Sequence, residues 1–194
     1  MKWIAVSIVA FVVCYTLINF YYRKSGKAFE PHEDLANRAT TARLLKAGWN
    51  RIPVTTNRPA DHIARLKTAP AAISRAQPGL PAELATVLGE PPRLLATIGQ
   101  VVAPAEISRG TDYAAVFQCR APDLKAQLGG VSLYRKRGVL ILIPSIELMP
   151  GKLLGRSQEG TYCLNFPTRS LPPGRYTAHL VALGPAARWE IRVK

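Results

Sequence analysis

The run from Trp3 to Tyr22 (WIAVSIVAFVVCYTLINFYY) contains no charged residue. At about 1.5 Å of rise per residue, a helix of this length matches the roughly 30 Å hydrocarbon core of a bilayer. Lys2 lies outside one boundary, and Arg23, Lys24 and Lys27 lie outside the other. Burying those charges in hydrocarbon would be costly, so they fix the ends of the segment. Trp3, Tyr21 and Tyr22 stand where amphipathic rings favour the headgroup region. With Arg23 and Lys24 they are the expected interface anchors, and the lipid bilayer is the expected partner of the segment. Ser7, Thr16 and Asn19 are tolerable within such a helix, where Ser and Thr can bond back to their own backbone.

A cleaved signal peptide would have a shorter apolar region, about 7–15 residues, followed by a small-x-small site. Here Phe20, Tyr21 and Tyr22 close the run, and the nearest match, Gly26-Lys27-Ala28, lies beyond a basic cluster. Lipid attachment at Cys14 would call for a small residue before it, where Val13 stands. The expectation is an uncleaved single-pass signal anchor, in the inner membrane if the source is bacterial. A positive-inside count of Lys2 and the α-amino group against Arg23, Lys24 and Lys27 tilts by one charge towards a cytoplasmic C-terminal part. The cysteines, discussed below, tilt the reading to the extracytoplasmic side.

The whole chain has 194 residues, with 26 Lys and Arg against 12 Asp and Glu, a net charge of +14. That length holds one ordinary domain with an appendage and excludes a large multidomain enzyme. A hydrophobic content of 48% excludes a disordered chain, and three cysteines exclude a disulfide-framework miniprotein. Three segments are expected: residues 1–24 as the anchor with basic flanks, 25–93 as a juxtamembrane helix and Pro-rich connector, and 94–194 as a β-sandwich.

In the second segment Leu35, Ala39, Ala42, Leu45 and Trp49 recur at helical spacing and predict one amphipathic face. Glu33 and Asp34 suit the first turn of that helix, and Gly48 suits its end. Seven prolines then divide residues 50–92, because each removes an amide donor and restricts its predecessor. Arg51–Thr56 (RIPVTT) reads as a short edge strand, and Pro81–Leu88 as a short helix that Gly89 ends.

The third segment is strand-like throughout. Its seven candidates are Ala96–Ala103, Tyr113–Arg120, Val131–Lys136, Val139–Pro144, Thr161–Pro167, Arg175–Leu183 and Ala187–Val193. Tyr113, Ala115, Phe117 and Cys119 alternate against Ala114, Val116, Gln118 and Arg120, which marks one buried face. Glycine and proline turns separate the candidates, as at Arg137-Gly138 and Pro172-Pro173-Gly174. The expected fold is mainly β, a seven-stranded antiparallel sandwich. The run Leu171-Pro172-Pro173-Gly174-Arg175-Tyr176 resembles the turn before a late strand in many immunoglobulin-like sandwiches. That resemblance covers six residues; it supports an immunoglobulin-like architecture and implies no activity.

Cys119 and Cys163 fall in different candidate strands. In a two-sheet sandwich they could face one another as a disulfide, which would place the domain outside the cytoplasm; the alternative is two buried free thiols. Arg135-Lys136-Arg137 occupies a hairpin and is the candidate contact for phosphate, lipid headgroups or another anion, unless it is only a solvated turn guarding the apolar strand after it. His32, His62 and His179 are too scattered for a metal site, and no nucleotide, zinc or nucleophile motif occurs. No catalytic residue, metal or cofactor is expected. The basic residues are dispersed, with no aromatic-plus-basic stretch of a nucleic-acid module. The expectation is a non-catalytic binding or scaffold module with a protein or envelope-polymer partner. The alternatives are a cytoplasm-facing basic domain on anionic lipid or nucleic acid, and an envelope hydrolase with an unrecognised site.

Overall fold

The computed structural model describes residues 2–22, 32–57 and 70–194. The chain forms two compact units, Met1–Ala39 and Thr40–Lys194.

In the first unit, α1 spans Lys2–Tyr22. Three of its polar side chains bond back to the helix backbone. Ser7 Oγ donates to the Trp3 carbonyl at 3.0 Å, Thr16 Oγ1 to Val12 at 2.8 Å, and Asn19 Nδ2 to Tyr15 at 3.0 Å. The stretch Lys2–Asn19 has a mean hydropathy of 1.8 and is 0% buried. It is therefore long and apolar enough to cross a membrane. A second helix, α2 (His32–Lys46), leads into the second unit.

The second unit contains β1 (Asn50–Ile52), β2 (Thr55–Asn57), β3 (Ser74–Ala76), α3 (Ala82–Leu88), β4 (Thr97–Val102), β5 (Glu106–Ile107), β6 (Asp112–Arg120), β7 (Ala126–Lys136), β8 (Val139–Leu148), β9 (Glu159–Pro167), β10 (Gly174–Leu180) and β11 (Ala186–Val193). They make two sheets. One has the order β1-β7-β8-β10-β11-β3 with β5 also on β11; the other has the order β2-β9-β6-β4.

All seven strands expected from the sequence are present, as β4, β6, β7, β8, β9, β10 and β11. The seven-stranded, wholly antiparallel arrangement is corrected in two ways. Four further short strands join the sheets, and β10 runs parallel to β8, as β5 does to β11. After β8 the chain crosses to the other sheet for β9 and returns, so β10 arrives in the same direction as β8.

The segment RIPVTT is not one strand. Pro53 has no amide to give a ladder, and the chain breaks there. Asn50–Ile52 pairs with β7 in one sheet, and Thr55–Asn57 pairs with β9 in the other. The edge position expected for Arg51–Thr56 therefore holds in both sheets, and residues 74–76, expected as connector, form a further edge strand.

The period-two pattern places Tyr113, Ala115 and Phe117 of β6 against Trp189, Ile191 and Val193 of β11 in a core drawn from both sheets. A second cluster lies on the outer face of the larger sheet. There Tyr134, Ile141 and Ile143 are covered by Leu84 of α3 and by Leu44 and Trp49.

The expected stripe on α2 is corrected: Leu45 is 59% exposed, and Ala39 and Ala42 are exposed, whereas Leu44 is buried. The helix stop decides this. Gly48 takes a φ of 80°, its amide donates to Leu45, and the Trp49 amide donates to the Leu44 carbonyl at 2.8 Å. That pair of bonds reverses the chain and brings the side chains of Leu44 and Trp49 into one cluster.

Candidate functional site

The basic run Arg135-Lys136-Arg137 closes the β7–β8 hairpin, with Lys136 opposite Val139. Its side chains do different things. Arg135 Nη1 donates to the Ser170 carbonyl at 2.8 Å. Lys136 Nζ pairs with Glu83 of α3 and sits 5.5 Å from the Trp49 ring centroid, a cation–π distance. Two of the three cations therefore stitch the domain together. Arg137 stands exposed at the turn with a φ of 53°. Gly138 beside it admits a close neighbour: a Cβ there would lie 3.3 Å from the Arg175 carbonyl.

That hairpin belongs to a larger cationic end of the sandwich. Buried Thr168 accepts from the Gly110 amide at 3.0 Å and donates to the Thr111 carbonyl at 2.6 Å. This ties the β5–β6 loop to the 3-10 turn Thr168–Ser170. The Arg109 amide donates to the Lys194 carbonyl, and the Thr177 amide to Gly138. Arg109, Arg137, Arg169, Arg175, Arg192 and Lys194 are all exposed around this end. Glu106 pairs with Lys194 and lies 3.7 Å from Arg192. The Lys194 hydrogen bond, helped by the charges of Lys194 and Arg192, holds its carboxyl below the usual carboxylate range against desolvation. Sequence reading missed this grouping, because its residues come from five separate stretches and only the hairpin is contiguous.

Of the two readings of Cys119 and Cys163, the structure has the free thiols and not the bridge. Cys119 lies opposite Gly160 and Cys163 opposite Val116 on the same strand pair. Their offset, 119 − 116 = 3 positions, is odd, so they face opposite sides of one sheet. Burial raises the Cys119 thiol to about 11. Burial also raises Cys163, with the Asn165 hydrogen bond acting the other way. Thiols held protonated in this way are poor nucleophiles. The argument that set the domain outside the cytoplasm rested on the bridge and falls with it.

Two clefts remain. One, of about 450 Å³, is lined by His179, Arg188, Arg75 and the turn Gln77–Pro81. Burial, then the charge of Arg188, lowers the His179 pKa. The other, of about 430 Å³, lies under the β8–β9 connection beside Cys119, Arg156 and Tyr162. Among the described residues no group of three His, Cys, Asp or Glu side chains could hold a metal ion. His62 lies outside the described residues, as do Arg23 and Lys24. Of the expected interface residues, Trp3 is 85% exposed at the start of α1. Tyr21 and Tyr22 close α1, and their side chains lie outside the description.

No protein-family model, curated protein or solved structure matches this chain.

Proposed function

We propose that the chain is a membrane-anchored, non-catalytic binding or scaffold module. The observation that carries this reading is α1. Its apolar side chains cover the helix and are unburied over Lys2–Asn19, so hydrocarbon is the solvent in which they are stable. In the same reading Trp3, Tyr21, Tyr22, Arg23 and Lys24 mark the two interfaces, and an immunoglobulin-like sandwich is the module displayed. One local feature supports that architecture: the Tyr176 hydroxyl donates to the Pro172 carbonyl four residues upstream at 2.7 Å, as a tyrosine corner does.

Alkaline carbonate extraction of membranes tests the anchor: the full chain stays in the pellet, and release into the supernatant overturns the reading. A reporter fused at the C-terminus and active on one side only then assigns the side. In detergent, the purified chain should carry a stoichiometric partner and turn nothing over. A partner-free preparation with measurable turnover would remove the non-catalytic reading.

A further inference from the structure

We infer that the hairpin end of the sandwich is a docking face for anionic phospholipid headgroups of the membrane in which α1 is seated. The inference rests on the anchor reading above. It joins two observations: the charge of this end, and the place where the chain enters the domain.

Six exposed cations ring this end: Arg109, Arg137, Arg169, Arg175, Arg192 and Lys194. The acids among them are Glu106, Asp112 and Glu190, and the charge of Glu83 is taken up by Lys136. The surplus is 6 − 3 = 3 cations over this small surface. At the opposite end, Arg93, Arg120, Lys125, Lys152 and Arg156 stand with Glu90, Asp123, Glu147 and Glu159, a surplus of 5 − 4 = 1. The basic excess is therefore greater at the hairpin end. Arginine dominates the ring, and its planar fork suits phosphate oxygens.

Chain direction supplies the second half. Asn50, the first residue of β1, is paired with Arg135, next to the hairpin tip. A Cβ on Gly48 would lie 3.7 Å from the Lys136 side chain. The polypeptide from the N-terminal side thus enters the sandwich at its more cationic end. A basic surface beside its own tether works at a high effective concentration of headgroups, so modest contacts suffice.

The test uses the full chain in nanodiscs of phosphatidylcholine alone or with about 30% phosphatidylglycerol, read by amide hydrogen exchange. Co-elution with the disc checks the anchor separately. On anionic discs, exchange in residues 108–112 and 168–171 should slow by about threefold or more, and 0.5 M NaCl should reverse it. Residues 150–157 at the far end should not change. Arg169→Glu with Arg175→Glu should abolish the slowing while exchange on neutral discs stays that of the unmodified chain. Co-elution with equal exchange on both lipids overturns the proposal. So does protection of 150–157, which would make the opposite end, with exposed Leu148, Leu153 and Leu154, the docking face. Protection that survives the charge reversal overturns it as well.

Discussion

Trp189 and Tyr113 are joined across the core: the indole Nε1 of one donates to the phenol oxygen of the other at 2.9 Å. The phenol in turn donates to the Pro104 carbonyl at 3.0 Å. Because β6 and β11 lie in different sheets, this relay is a polar tie inside an apolar interface. Burial drives the phenol's pKa well above its ordinary value, against the opposing Trp189 bond, and keeps it a neutral donor. Tyr113→Phe leaves both an indole N–H and a carbonyl without a partner. The expected loss is about 2–4 kcal/mol, from about 1–2 kcal/mol for each orphaned group. Urea unfolding measures it; a loss below about 0.5 kcal/mol would show that the relay contributes nothing.

The left-handed backbone of Arg137 is a site for stabilisation. A non-glycine residue at a φ of 53° is held there against its preference. Arg137→Gly should raise stability by about 0.5–1 kcal/mol, while Gly138→Ala should lower it through the Arg175 carbonyl. Paired thermal melts read both signs, and a destabilised Arg137→Gly would contradict the strain argument.

His179 predicts a pH dependence. Its folded pKa lies below the ordinary histidine value, so the unfolded chain binds the proton more readily. Stability therefore rises as pH passes from the folded pKa up to about 6.5 and is fully present above it. Arg188 and Arg75 are the charged groups lining the same cleft. His179→Gln should flatten the profile between about pH 5 and 7; an unchanged slope assigns the titration elsewhere.

Thiol labelling checks the cysteines. Without reductant, unfolding in denaturant should release all three thiols to alkylation, and intact mass counts them. Cys119 and Cys163 should label slowly in the native protein because both are buried. A chain that takes up only one label until it is reduced would contradict the opposite-face geometry.

Strand existence was legible because alternation survives wherever one face is buried; Ala187–Val193 shows it without interruption, and Tyr113–Arg120 shows it except at buried Val116. Strand partnership was not. Nothing in the alternation of Val139–Pro144 says that Arg175–Leu183 will lie parallel beside it, since that follows from where β9 goes. The α2 stripe failed for a local reason. The spacing from Leu35 to Trp49 runs through Gly48, where the chain reverses and moves Trp49 off the helical register and onto Leu44. The cysteines fell to parity, because sequence gives two strands but not their register. The cationic end was illegible because its residues meet only through loops, and the contiguous Arg135-Lys136-Arg137 run drew attention to two side chains that are used internally.

The corner at Pro53 has a mechanical consequence. Six residues supply an outer strand to each sheet, so a pull arriving from the N-terminal side, once Leu44 and Trp49 give way, loads β1 and passes through Pro53-Val54 into β2. The two layers then share the load, and peeling one without the other requires that corner to open.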